Sequence, residues 1–221
     1  MSLETLRQRY LHIAKYSLAF LKEKGFKKKG SKYFQDKGEL VLEISSRIPR
    51  PWSNSENCYE FQIDWEVMTT NQKFLELYMF MEGEKNIKKA PLIGLVILPD
   101  TYKWGTSFLT KDDPPGYEDQ FVVGIKNKIE QELIPWFNHI NSIDDIMQIA
   151  EEESKIERNK RIFFRETSIY KNIANFYAAR GQKDRALEAC EKYIGSTPAT
   201  ARELAEKRKK KYIQYFDQFK E

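Results

Sequence analysis

Apolar side chains at the start of the chain recur at helical spacing. Residues three and four apart share one face of an α-helix, so the pattern predicts one long amphipathic helix that ends near Lys24. Gly25 follows the last predicted turn, where the backbone favours a positive φ and glycine meets no steric cost. The apolar positions are Leu3, Leu6, Tyr10, Ile13, Ala14, Leu18 and Leu21.

The next segments follow the period-two pattern of strands. A hairpin is predicted from Tyr33–Phe34 and Leu40–Ile48, after a basic turn at Lys27–Lys29 that Gly30 interrupts. The second strand is expected to have one buried and one solvated face. The buried face would hold Leu40, Leu42 and Ile44, and the solvated face Glu39, Val41, Glu43 and Ser45.

Two further strands and a short helix are predicted before residue 100. Residues 49–55 contain two prolines and three small polar residues, which favours a loop. Cys58–Met68 alternates strictly and is the clearest strand, and the apolar run between Pro91 and Pro99 is typical of a buried one. Periodicity does not decide the state of Phe74–Met81, but Asn71 could cap a helix there.

From Glu118 onward the pattern is helical. Pro135 is expected to end or kink the first of these helices, and Ser142 with Asp145 resembles a capping box at the start of the next. Gly181 separates two later helices. Thr197 is expected to cap the last helix, whose apolar face would hold Leu204, Ala205, Tyr212, Tyr215, Phe216 and Phe219.

Composition is that of an ordinary soluble chain and not of a disordered one. Of the 221 residues 41% are hydrophobic and 32% charged. The sequence has no long apolar run that could span a membrane and no signal-peptide pattern at its start. The two cysteines, Cys58 and Cys190, have no disulfide or metal spacing, so we expect a reducing, cytoplasmic location. The net charge of +4 arises from basic residues near both ends.

The segment from Ala14 to Glu152 resembles the bacterial family called domain of unknown function 4304. The matching features are the helix end FLKEKGFKKKG, the aromatic start KYF, the alternating strand YEFQIDWEV, and IPWF followed by SIDDI. The resemblance implies an α+β domain over residues 1–152, with helices packed on an antiparallel sheet. It implies no reaction. Family members look like small bacterial proteins found beside toxin genes, which suggests an immunity role.

The segment from Thr167 to Thr200 looks like one tetratricopeptide repeat. The resemblance implies a helix pair within an all-helical extension over residues 153–221. One repeat cannot bury its own apolar face, so it should dock on the last helix or on the helix before it. An ordinary helical hairpin is the alternative. The matching positions are Tyr170, Ile173, Ala174, Tyr177, Gly181, Ala186 and Pro198.

No catalytic, metal or cofactor motif is present in the sequence. His12 and His139 lack the spacing of a metal site, and the nucleotide-binding and hydrolase signatures are absent. Asp64 and Glu66 share a predicted sheet face, where two carboxylates could serve acid–base chemistry or bind a cation. The simpler interpretation is the solvated face of an antiparallel sheet.

We therefore expect a non-enzymatic protein that binds another protein, in its narrower form an immunity or inhibitor protein for a bacterial toxin. Partner contacts are expected at Lys27, Lys28 and Lys29 and at the loop tryptophans Trp52 and Trp104. The alternative is a nucleic-acid-binding protein that uses Lys27–Lys29 and the basic run Lys207–Lys211. Oligomeric state is left open.

Overall fold

The computed structural model of the chain describes residues 3–47, 50–51, 59–60, 63–97, 109, 112–157 and 168–218. Its strands are β1 (Lys27–Lys29), β2 (Lys32–Lys37), β3 (Leu40–Ser46), β4 (Arg50–Pro51), β5 (Tyr59–Glu60), β6 (Ile63–Thr69) and β7 (Ala90–Ile97). Its helices are α1 (Leu3–Leu18), α2 (Gln72–Glu82), α3 (Glu118–Lys128), α4 (Ile134–His139), α5 (Ile143–Ser154), α6 (Ser168–Ala179), α7 (Lys183–Ser196) and α8 (Arg202–Gln218).

A five-stranded antiparallel sheet is the β part of the fold. Its strand order is β1-β2-β3-β6-β7, and β4 and β5 form a separate two-stranded ladder. Together with the helices, which include a helical C-terminal region, this confirms the predicted α+β class. Among the described residues no helix is both long and apolar enough to cross a membrane.

Contacts along the chain divide it into two units. The first unit comprises residues 1–37, 41–66 and 94–140, and the second comprises residues 38–40, 67–93 and 141–221. The first therefore holds α1, α3 and α4, and the second holds α2 and α5–α8. The predicted domain boundary near residue 152 stays a prediction.

The basic segment Lys27–Lys29 is an edge strand, although the sequence predicted a turn. It pairs antiparallel with β2, so that Lys28 lies opposite Tyr33 and Lys29 opposite Lys32. All three lysines are exposed. Lysine on an edge strand discourages pairing with other chains, which gives this charge run a structural reason. Gly30, at φ 60°, makes the turn into β2.

Strand β3 is buried on both faces, whereas the sequence predicted one solvated face. Val41 is 2% exposed and Glu43 only 7%. Glu43 is paired: its Oε1 lies 2.5 Å from the Nζ of Lys32 on β2. The period-two pattern was a wrong guide here, because β3 lies between β2 and β6 and the carboxylate of Glu43 is paired with Lys32 on β2.

Proline positions also departed from expectation. Pro51 lies in the β4 ladder opposite Tyr59, although a loop was predicted there. A two-residue ladder tolerates proline, because proline lacks only the backbone N–H donor and keeps its carbonyl acceptor. Pro135 does not end the helical run: it lies in the first turn of α4, directly after a π-helical segment at Ile129–Leu133, and the predicted kink stays a prediction. The wider turn of the π-helical segment does not require the backbone N–H that proline lacks.

The other helix ends are set largely by local side chains. The Oδ1 of Asn71 accepts hydrogen bonds from the amides of Lys73 and Phe74, which confirms the predicted cap of α2. The capping box of Ser142 and Asp145 at α5 is present. Thr197 is not the cap of α8, because its hydroxyl donates back to the carbonyl oxygen of Tyr193 and ends α7.

Arg9 anchors α1 in the first unit. It is 7% exposed, and its Nε donates to Oε2 of Glu118 at 2.8 Å. Its other nitrogens donate to the carbonyl oxygens of Asp113 and Pro114 at 2.9 and 2.7 Å. Burial alone would raise the pKa of Glu118, but its own backbone hydrogen bond and Arg9 outweigh burial and lower that pKa. The neighbouring hydroxyl of Tyr10 bonds both backbone groups of Leu109.

The second unit is a helical assembly around the hairpin of α6 and α7. Gly181, at φ 73°, makes the turn between them. As predicted, α8 packs on the hairpin and buries Tyr212, Tyr215 and Phe216, and α5 packs on α6 from the other direction. Leu204 was predicted on the same face of α8 but is 68% exposed.

Replacing Arg9 with methionine should lower the free energy of unfolding by about 3 kcal/mol. Methionine keeps an unbranched apolar stem but leaves the carboxylate of Glu118 and two carbonyl oxygens without their donor. Urea denaturation at neutral pH measures the change. Lys15→Met on the exposed side of α1 is the control and should stay within about 0.5 kcal/mol of the wild type. Equal stability of both variants would contradict the anchoring role.

Candidate interaction groove

A groove of about 330 Å³ lies on the second unit, where α5, α6 and α7 meet. We call it the α5–α7 groove. Helix α5 contributes Glu151, Ser154 and Lys155, α6 contributes Tyr170, Ile173 and Tyr177, and α7 contributes Arg185, Glu188, Ala189 and Lys192. Every one of these side chains comes from a helix or from the residue that caps it, so the groove has a rigid frame.

The floor of the groove is apolar and well packed. Ile173 is 6% exposed, Ala189 5% and Tyr177 8%. An apolar floor with a polar rim is the usual composition of a binding site.

Two tyrosines line the groove and have hydroxyls bonded to α5. Tyr177 donates a short hydrogen bond to Oε1 of Glu151, and Tyr170 donates to the carbonyl oxygen of Ser154 at 3.4 Å. Burial, and then the hydrogen bond and charge of Glu151, raise the pKa of Tyr177. Tyr177 therefore stays a hydrogen-bond donor at neutral pH and holds α5 against α6.

The charges on the rim are unbalanced. Glu188 is paired with Lys192, whose Nζ lies 2.9 Å from its Oε1. The guanidinium of Arg185 lies over the ring of Tyr177, 5.0 Å from its centroid. Within the described parts of the chain, neither Arg185 nor Lys155 forms an ion pair with a carboxylate, although the charge of Arg185 helps to lower the pKa of Glu188 after the larger effect of Lys192. The groove therefore offers two cations to a ligand.

The residues predicted for partner binding lie elsewhere. Lys27–Lys29 forms the exposed edge strand β1 of the first unit, where Lys27 pairs with Asp36 at 3.0 Å and the Nζ of Lys28 lies 5.2 Å from the centroid of the Tyr33 ring. Trp52 and Trp104 fall outside the described residues. The sequence carries little signal of the groove, because its cations lie apart at the end of α5 (Lys155) and on α7 (Arg185 and Lys192) instead of forming a run.

The basic run Lys207–Lys211 is largely engaged within the chain. Lys207 pairs with Glu203, Lys209 with Glu191, Arg208 with Glu82, and Lys211 donates to the carbonyl oxygen of Met81. Arg208 does most to join helices: one guanidinium nitrogen lies 2.8 Å from Glu82 on α2 and another 3.4 Å from Oδ1 of Asn175 on α6.

Asp64 and Glu66 lie on β6 as predicted, but they are not simply solvated. The carboxylate of Asp64 accepts a hydrogen bond from Nε of Arg47 at 2.7 Å. Burial, and secondarily the carboxylate of Glu43, raise the pKa of Glu66, whereas Lys32 opposes the rise. The ionised form of Glu66 is therefore unfavourable in the folded protein near neutral pH.

The described residues include no group of three or more His, Cys, Asp and Glu side chains placed to hold a metal ion. His12 contacts Asp119, with Nε2 and Oδ1 3.1 Å apart, and Nδ1 of His139 lies 2.7 Å from the carbonyl oxygen of Pro135. Burial raises the pKa of the Cys190 thiol to about 11, so that thiol is a poor nucleophile. Cys58 lies outside the described residues.

Comparisons with protein-family models, with curated proteins and with solved structures return no match to this chain. Its resemblances to domain of unknown function 4304 and to a tetratricopeptide repeat stay predictions.

Glu66→Gln should stabilise the protein near neutral pH. The raised pKa means that the folded state binds the proton more tightly than the unfolded state, so the wild type loses stability as pH rises above the ordinary value of 4.5. Glutamine lacks that charge. The gain in the free energy of unfolding should therefore shrink as pH falls through the raised pKa of Glu66 toward 4.5. Urea denaturation at several pH values measures it.

The control for this variant is Glu23→Gln in the exposed turn after α1. It should change stability little and without the same pH dependence. A Glu66→Gln protein that is less stable than wild type at neutral pH would show that the carboxylate is a stabilising partner on this sheet.

Proposed function

We propose that this protein is a non-enzymatic protein of the bacterial cytoplasm that binds another protein, and that the α5–α7 groove receives a segment of that partner. One observation carries the proposal: a groove of about 330 Å³, framed by three helices, exposes Lys155 and Arg185 without carboxylate partners. Because packed helices already fix the backbone that carries these donors, little backbone entropy is lost on binding, which favours recognition of a partner.

The narrower form of the proposal is an immunity or inhibitor protein that masks a bacterial toxin. The resemblance of residues 14–152 to a family of small bacterial proteins found beside toxin genes supports it. The helical hairpin α6–α7 supports the same class of function, because repeat-like helix pairs commonly present a surface to a peptide or protein.

Protein is favoured over nucleic acid as the partner by the state of the basic residues. Most cations of the run Lys207–Lys211 are engaged with Glu203, Glu82, Glu191 and a backbone carbonyl. Phosphate contacts need cations that are free to displace counterions. The edge strand Lys27–Lys29 keeps exposed lysines and is the remaining surface for nucleic acid.

Affinity capture from the native host with charge-reversed variants tests the proposal. The tagged full-length protein is compared with Lys155→Glu/Arg185→Glu, and captured proteins are identified by mass spectrometry at low and moderate salt. We expect one stoichiometric protein that survives moderate salt and is lost with the groove variant, because like charges then face the partner. Purified partner should reproduce the loss in a binding titration.

The matched control is Lys85→Glu/Lys88→Glu, which reverses two exposed lysines in the loop after α2. It makes the same change in net charge and should keep the partner. Loss with both variants would indicate general electrostatic attraction, and retention with both would remove the groove as the binding site. Capture of nucleic acid that is lost with Lys27/Lys28/Lys29→Ala would favour the alternative function.

A further inference from the structure

The free cations of the α5–α7 groove have a fixed arrangement with respect to its apolar floor. Lys155 follows the last turn of α5, and Arg185 lies in the first turn of α7, so the two come from different helices of the groove. The floor between them is formed by Ile173, Ala189 and the ring of Tyr177. A ligand in the groove would therefore meet apolar surface and positive charge from two helices.

The other charged side chains of the groove have hydrogen-bond partners, although the neutral hydroxyl of Tyr177 leaves the charge of Glu151 in place. Glu188 is paired with Lys192 across one helical turn, and Glu151 accepts the hydroxyl of Tyr177. A basic ligand would compete for carboxylates that have partners. An acidic ligand would supply the missing partners of Lys155 and Arg185. Arg185 is also held over the ring of Tyr177, which reduces the entropy lost when it binds a carboxylate.

We propose that the α5–α7 groove recognises an acidic, amphipathic segment of a partner protein, in which glutamate or aspartate side chains flank an apolar side chain. The carboxylates pair with Lys155 and Arg185, and the apolar side chain packs on Ile173 and Ala189. This inference rests on the proposed function and names the chemistry of the segment that binds.

Fluorescence anisotropy with synthetic peptides tests the inference without knowledge of the partner. The probe is a short fluorescein-labelled peptide of alternating glutamate and leucine, titrated with the full-length protein. Comparison peptides replace every glutamate by glutamine, every glutamate by lysine, or every leucine by serine. The glutamate–leucine peptide should bind saturably, and each replacement should weaken binding.

Neutral variants of the protein locate the site. Lys155→Gln/Arg185→Gln should weaken binding of the glutamate–leucine peptide by about tenfold, the value expected for two rim ion pairs. Lys85→Gln/Lys88→Gln removes the same charge from the loop after α2 and should leave the affinity unchanged. Ala189→Leu, which fills the floor, should weaken binding of the glutamate–leucine peptide more than binding of the glutamate–serine peptide, because only leucine packs on the floor. Urea denaturation of each variant checks that it is folded.

The possible results separate this inference from the proposed function. Equal affinity for the glutamate and glutamine peptides, or equal weakening by both pairs of substitutions, would overturn the acidic segment. Loss of the captured partner with Lys155→Glu/Arg185→Glu would still support the groove in that case. If the groove variants also capture the partner as the wild type does, the proposed function itself fails.

Discussion

The hairpin of α6 and α7 cannot bury its apolar side chains by itself, and this constraint organises the second unit. Ile169, Phe176 and Ala186 are almost fully buried only because neighbouring helices cover them. Helix α8 covers one side and α5 another, while α2 packs on α6, where the rings of Phe74 and Phe176 meet edge to face at 5.6 Å. The α5–α7 groove lies where α5, α6 and α7 meet.

Polar pairs fix how the covering helices sit. Arg208 on α8 reaches both Glu82 on α2 and Asn175 on α6, and the hydroxyl of Tyr212 donates to the same Asn175 at 2.6 Å. Such bonds gain little net energy but are costly to break when they are partly buried, so they select one arrangement over others of similar apolar burial. In the α5–α7 groove, Tyr177 plays the same part toward Glu151.

The two units use their charges differently. On the sheet of the first unit, Glu43 and Asp64 are neutralised by Lys32 and Arg47, which leaves Glu66 as the carboxylate with a raised pKa. On the helices of the second unit, Lys155 and Arg185 at the groove form no ion pair among the described residues. A surface with unmatched cations over an apolar floor is suited to binding a complementary chain, and this contrast is the physical basis of the proposed function.

Features that depend on neighbours along the chain were predictable from residue types and their spacing. The helix that ends before Gly25, the cap at Asn71, the capping box at Ser142 and the turn at Gly181 were all predictable, because local backbone preference and side-chain hydrogen bonds set them. The α+β class followed from the change of period from helix to strand and back.

Features that depend on distant residues were set by packing and by pairing between strands. Lys27–Lys29 is an edge strand because it pairs with β2. Glu43 is buried because its strand lies between two others and its carboxylate is paired with Lys32. Thr197 ended α7 instead of capping α8. The groove itself has no signal in the sequence, because Lys155 and Arg185 are thirty residues apart and become one site only when α5 and α7 pack on α6.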